Sequence, residues 1–565
     1  MNVLWNEVIS RAESEERTYL MEHECKELLL RRGIPTNSTF VAQSVDEAVE
    51  LSDKIGYPVV LKVLSPEVVH KSDQGGVKLN LKNAAEVESA YKEIITAFAD
   101  KKLIGVTVQE MVKPGLEAIV GVSRDPAFGP VLMFGLGGVF VEVLKDVSFK
   151  ILPVTEADIE EMIKELRGYK LLQGHRGEAV DIPALKELLL KVSDMVMENP
   201  EISELDLNPV FLYPKGAMAV DARIFLRKPE TVESLQTYRK KDESSLQKLF
   251  YPGSIAVLGA SDTPGKLGWN VFHNLLYHRF AGKLYPVNIK AKTVQGVPAV
   301  SSIGEIEESV DAAIILVPAA QTVQAFEECC RKGIKMIIIE SAGFAETGES
   351  GKGVEKELRQ LAEKYNCRFV GPNCSGIINT HHNVVQSIGV VGDLRKGNIG
   401  LVAQAGVYAA GMLWGVRHIM DFAVVATIGN KADINETDIL EYLGEDDHVK
   451  VICMYLEDVK TGRRFIDVAR RITAEKPVIV LKSGRTEAGK KAVSSHTASL
   501  AGNDIIYDAA LRQAGIIRAT DNDHMFGLAR AFSKQPLPLG EGVMVISYTG
   551  SLGVAAADAL SMNGM

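Results

Sequence analysis

The chain has 565 residues, 46% hydrophobic and 24% charged, and its 73 acidic against 63 basic residues leave a formal charge of -10. That length exceeds a single hydrophobic core and predicts roughly three to five domains, while the acidic balance argues against nucleic acid or an anionic membrane as partner. No apolar run approaches the roughly 18 to 20 residues of a membrane span, and the six cysteines, with no CxxC pair, suit a reducing compartment.

The first stretch, MNVLWNEVISRAESEERTYL, is acidic and has no basic segment ahead of an apolar run, so the expected location is the cytoplasm. From about Arg11 to Arg223 the pattern alternates helices with short strands. A helix is predicted over Tyr19–Arg32, and strands over Pro58–Leu64, Val77–Leu81, Val106–Val112, Ala118–Arg124 and Ala217–Asp221. Helices with one polar face, Glu156–Leu166 and Ile182–Glu198, lie between them.

Within this module, PVVLKVLSPEVVHKSDQGGVKLNL places Lys62 at a strand end, followed by a loop with His70, Lys71, Ser72 and paired glycines. A lysine beneath such a loop suits nucleotide phosphates. The strand VQEMV offers Glu110 and the backbone up to Val112 to an adenine edge. ELDLNPV and AVDARI set Asn208 and Asp221 on two adjacent strands, a carbonyl and a carboxylate of the kind Mg²⁺ accepts beside nucleotide oxygens. Each fragment alone is compatible with an ordinary folded surface.

Residues 228–248 are rich in Lys, Glu, Ser and Gln and read as a linker with a partial helix. Beyond them, nearly continuous apolar runs recur at Ser254–Leu258, Ala312–Val317, Met336–Ile339, Arg368–Val370, Ile399–Val402, Val424–Thr427, Val451–Tyr455, Val478–Leu481 and Val543–Ile546. Such runs predict parallel strands buried on both faces. Two α/β domains are expected, divided near residues 386–397, and a third unit begins at Gly542. One strand and one helix cannot bury their own faces, so the expectation is that the unit continues or that a separate chain completes it.

VLGASDTPGKLG, with Gly259 and Ser261, follows a predicted strand and opens a helix, a phosphate-binding turn or a glycine turn demanded by packing. YPVNIKAK adds Lys290, which either meets a phosphate or is simply solvated. KSGRTEAGKKAVSSHTASLAGND holds His496 among hydroxyls and amides. Glu457, at the end of a predicted strand, is suited to hold an imidazole tautomer or to be a solvated acid.

Taken in order, these segments resemble the ADP-forming acetyl-CoA synthetases, relatives of succinyl-CoA synthetase, over almost the whole chain. ILVPA (with Pro318), ESAGF, GPNCSGI (with Asn373), GNKADINETDILEYL and YLEDVKTGRRF extend the likeness. The resemblance implies an α/β multidomain fold: an ATP-grasp module (1–227), the linker (228–248), a Rossmann-like CoA-binding domain (249–386), a flavodoxin-like succinyl-CoA-synthetase domain carrying the phosphohistidine (387–538), and the start of an incomplete second one (539–565).

It also implies roles. His496 matches the phosphohistidine, Glu457 its orienting acid and His70 a second, relaying histidine. Lys62, Glu110 and Val112 match nucleotide contacts, Asn208 and Asp221 Mg²⁺ ligands, and Gly259, Ser261, Lys290, Pro318 and Asn373 CoA contacts. The implied substrates are ATP/ADP, CoA, phosphate and a short carboxylic acid such as acetate, in a homo-oligomer with no nucleic-acid or membrane partner. VAQAGVYAAGM has alanines where relatives carry an SQSG turn, and Ala498 replaces a glycine. These departures support a second reading, a CoA- and nucleotide-binding regulatory relative without turnover.

Overall fold

A computed structural model describes residues 2–68, 75–138, 144–175, 177–227, 244–486, 488, 503–540 and 542–563. The chain forms two compact units. The first comprises Met1–Glu243, Glu457–Arg470 and Ser483–Ile516; the second comprises Ser244–Leu456, Arg471–Lys482 and Ile517–Met565.

The strands of the first unit are β1 (Tyr19–Leu20), β2 (Thr39–Ala42), β3 (Val59–Leu64), β4 (Val77–Leu81), β5 (Gly105–Glu110), β6 (Leu116–Asp125), β7 (Gly129–Leu136), β8 (Val147–Ile151), β9 (Ile202–Leu212), β10 (Ala217–Ala219) and β11 (Arg223–Leu226). β2, β5, β3 and β4 form an antiparallel sheet in that order. Two helices, Val45–Ile55 and Ala84–Ala97, cover it, each started by a side-chain cap: Ser44 accepts from the Glu47 N–H and Asn83 from that of Glu86. Val59, Leu61, Val63, Val87, Ile94, Val106 and Val108 make the core beneath them. Every residue of β3 is buried, Lys62 included.

The second sheet runs β1-β11-β9-β6-β7-β8, with β10 also on β9. Its last strand, β8, is closed by a distant piece of the same unit. Gln513, at the end of the helix Asp504–Gln513, accepts from the Ile151 N–H (2.7 Å) and donates to its carbonyl (3.0 Å), as a neighbouring strand would. Tyr507 of that helix stands edge-on to Phe128, ring centroids 4.9 Å apart. Gly462 opens another docked helix by donating to the Ala127 carbonyl at 3.0 Å, so close that a Cβ there would lie 2.4 Å from that oxygen.

The second unit carries β12 (Ser254–Leu258), β13 (Lys283–Val287), β14 (Thr293–Val294), β15 (Val297–Pro298), β16 (Ala312–Ile315), β17 (Met336–Ile339), β18 (Arg368–Val370), β19 (Gly376–Asn379), β20 (Val384–Ser387), β21 (Ile399–Ala403), β22 (Phe422–Thr427), β23 (Val451–Leu456), β24 (Val478–Lys482) and β25 (Ile517–Arg518). One sheet, β13-β12-β16-β17-β18, is parallel throughout. The other, β20-β19-β22-β21-β23-β24-β25, is parallel except for the β19–β20 hairpin and its pairing to β22. The buried, uninterrupted apolar runs of the sequence therefore sit where both faces of a sheet are covered.

Several expectations are corrected. Tyr19 and Leu20 are a strand on β11, and the helix begins at Glu22. The strand expected over Val106–Val112 ends at Glu110, where Met111 turns to donate to the Pro58 carbonyl. β7 and β8 were not expected from the pattern. Val543–Ile546 form no strand and Ile546 is 89% exposed, because no described strand pairs with them. The following helix, Gly550–Met562, buries no residue. Residues 228–243 of the expected linker lie outside the described residues.

Candidate functional site

In the first unit a cavity of about 410 Å³ gathers Lys62, Glu110, Val112, Asn208 and Asp221, five positions spread over 160 residues of sequence, together with Glu22, Asn37 and Gln109. Its volume is in the range that encloses a nucleotide-sized ligand. Lys62 lies within β3 rather than at its end. Its Nζ is 2.7 Å from Glu22 Oε1 and 3.6 Å from Asp221 Oδ1. Burial works against its charge, but Glu22 and then Asp221 outweigh that and hold its pKa above the usual lysine value.

The placement of Asp221 corrects the sequence reading. β10 stops at Ala219 and β11 starts at Arg223, so Asp221 lies in an interruption between them. Both strands run along the same edge of β9: Ala219 pairs with Val210, and Arg223 with Asp206. Continuing that register through the gap sets Asp221 opposite Asn208. The ladder breaks there because Pro209 has no N–H to donate, although its carbonyl still accepts from Val220 (3.0 Å). A carbonyl-bearing and a carboxylate side chain thus meet at a break in the sheet, both lining the cavity. This donor set fits Mg²⁺, which takes one or two protein oxygens alongside phosphate oxygens. Asp206 is close by, its pKa raised by burial, which outweighs Arg223.

Sequence reasoning missed the polar groups around Lys62. Glu22 and Lys26 sit four residues apart on the helix Glu22–Arg31, their pairing hidden in an ordinary-looking charged helix. Gln109 and Asn37 complete the set, and the Asn37 amide donates to the Glu110 carbonyl at 2.9 Å. Lys26 is pushed down to about 8 by burial, which outweighs the attraction of Glu22.

In the second unit the other predicted residues lie beyond the carboxyl ends of the parallel strands. Gly259 and Ser261 follow β12, Lys290 follows β13, Pro318 precedes the helix after β16, and Asn373 follows β18. The order β13-β12-β16 makes the β12–β16 gap a switch point, the usual ligand crevice of such sheets. Gly259 has φ +91°, and a Cβ on Gly268 would lie 2.0 Å from the Gly259 carbonyl, so the glycines let strand and helix touch. Asn288 fastens two of the loops: its amide donates to the Ala260 carbonyl (2.8 Å) and its oxygen accepts the N–H groups of Lys290 and Ala291. Lys290 and Pro318 are exposed. Asn373 has φ +59° and reaches Asn430 Oδ1 at 3.4 Å, linking GPNCSGI to GNKADINETD.

Glu457 is buried, immediately after β23. His70 and His496 both lie outside the described residues.

Family models match in chain order: an ATP-grasp domain over residues 11–226, a CoA binding domain over 253–380 and a succinyl-CoA ligase like flavodoxin domain over 396–532. The chain is 44% identical over 549 residues to acetate–CoA ligase (ADP-forming) II of Archaeoglobus fulgidus, spanning 97% of this chain and 80% of that one. It is 45% identical to the alpha subunit of the corresponding ligase II of Pyrococcus furiosus, over 57% of this chain and 69% of that subunit. Among solved structures, acetyl-coenzyme A synthetase 1 of Candidatus Korarchaeum cryptofilum, in complex with phosphate and ADP, superposes with a TM-score of 0.55 at 35% identity, covering 56% of this chain and 69% of that one. Among the described residues no helix is long and apolar enough to cross a membrane. With three matched domains in one order and a relative matched along most of its length, the chain belongs to the ADP-forming acetate–CoA ligase family.

Proposed function

We propose that this chain interconverts acid, CoA and ATP with acyl-CoA, ADP and phosphate, using acetate or another short carboxylic acid. The observation that carries the reading is the single cavity holding Lys62, Glu110, Val112, Asn208 and Asp221 in a member of this family. Lys62 meets the nucleotide phosphates, and Glu110 and Val112 flank the adenine. Asn208 and Asp221 hold Mg²⁺, which neutralises phosphate charge when bound. CoA lies along the carboxyl ends of β12, β13, β16 and β18, touching Gly259, Ser261, Lys290, Pro318 and Asn373.

In the synthetase direction the His496 imidazole takes the γ-phosphoryl group, with His70 as relay and Glu457 holding the reactive tautomer. The acid oxygen then takes the phosphoryl group from His496. The CoA thiolate attacks the resulting acyl phosphate and expels inorganic phosphate. The protein works in the cytoplasm as a homo-oligomer.

Incubation of the full chain with γ-labelled ATP and Mg²⁺ tests this. Acid-labile label is expected on the protein and lost in His496→Ala. Bound nucleotide without label on either histidine overturns the synthetase.

A further inference from the structure

Around Lys62 the protein buries more polar chemistry than one ion pair needs. Glu22 Oε1 receives three donors: Lys62 Nζ at 2.7 Å, Gln109 Nε2 at 2.8 Å and Lys26 Nζ at 3.1 Å. Lys26 is held in turn by Asn37 Oδ1 at 2.7 Å, Gln109 Oε1 at 2.9 Å and Thr39 Oγ1 at 3.2 Å. Glu22, Lys26, Asn37 and Gln109 are each at least 96% buried. Buried charges of this kind are seldom the most stable solution for a core, where apolar residues of similar volume do as well or better. Glu22, Asn37 and Gln109 also line the cavity itself.

We infer that Glu22 is a positioning residue for phosphate binding, its carboxylate fixing the Lys62 ammonium toward the cavity while Lys26 and Gln109 fix the carboxylate. The inference rests on the reading of this cavity as the nucleotide site. Lysine is a point charge on a flexible four-carbon stem, unable to aim itself as a guanidinium fork does. The network supplies the missing constraint: a helix residue, Glu22, sets the lysine, and Gln109 of β5, with Lys26 held by Thr39 of β2 and the loop residue Asn37, sets the helix residue. Binding phosphate then costs less ordering of the side chain that meets it.

The test is a double-mutant cycle on the full chain, read by calorimetric titration with ADP in Mg²⁺. Glu22→Gln keeps the shape and an acceptor oxygen but removes the charge; Lys62→Ala removes the group it positions. Each single change is expected to weaken ADP binding by about tenfold or more. The double variant is expected to bind no more weakly than Lys62→Ala, because Glu22 acts through Lys62. Losses that multiply, or a Glu22→Gln variant with unchanged affinity, overturn the inference. Should Glu22→Gln fail to fold, Glu22→Asp, which withdraws the carboxylate by one methylene, replaces it in the same cycle with the same expectations. A wild-type chain that binds no ADP strikes the nucleotide reading itself, a failure distinct from either.

Discussion

Glu340 follows β17 and is 95% buried, with one oxygen accepting from the Gln386 amide and the other without a hydrogen-bond partner among the described residues. Burial pushes its pKa up to about 8, against the smaller lowering by Gln386. The folded value lies above the unfolded one, so its contribution is complete below about pH 4.5 and lost as pH rises towards 8. Stability is expected to fall by about 1.4 kcal/mol per pH unit across that window from this group. Glu340→Gln removes the slope, which urea denaturation at pH 6 and pH 8.5 measures directly. At the same scale, Lys62 was legible as a strand lysine beneath a glycine-bearing loop, though set at the strand's end rather than inside it, whereas Glu22 and Lys26 were not legible. Their partners lie 40 and 83 residues away, and no local pattern encodes such pairings.

Gln513 is an element-scale device, a side-chain amide that closes the edge of β8 in place of another strand. Gln513→Ala leaves the buried Ile151 N–H and carbonyl without these partners and is expected to cost about 1–3 kcal/mol in chemical denaturation. The parallel strands were readable because burial on both faces writes itself as an unbroken apolar run. The two-residue β1 has no period to read, and β7, whose GPVLMFGL is as compatible with a buried helix as with a strand, has no alternation. Val543–Ile546 has the same apolar texture as the true strands, yet a strand exists only where a neighbour supplies the other half of its hydrogen bonds.

On the scale of the whole molecule, the residues proposed for the nucleotide and those proposed for CoA lie in units with separate hydrophobic cores. Each ligand stabilises the unit that binds it by mass action, about 2.7 kcal/mol at one hundred times its dissociation constant. The stabilisation by ADP with Mg²⁺ and by CoA together is therefore expected to equal the sum of the two alone, within about 0.5 kcal/mol. Isothermal denaturation with each ligand and with both measures this, and a clear excess or shortfall reveals coupling between the sites. The order of modules was legible from the motifs, but the return of residues 457–470 and 483–516 to the first unit was not, since it is a property of tertiary contacts alone. That return fixes a length. The helix Asp504–Gln513 is anchored on β8, and His496 precedes its cap, Asn503, by seven residues. At no more than about 3.6 Å per residue, seven residues reach at most about 25 Å from Asn503. Under the proposed phosphohistidine role, every phosphoryl donor and acceptor of His496 must come within that reach, plus one side chain, of Asn503 while the helix stays docked.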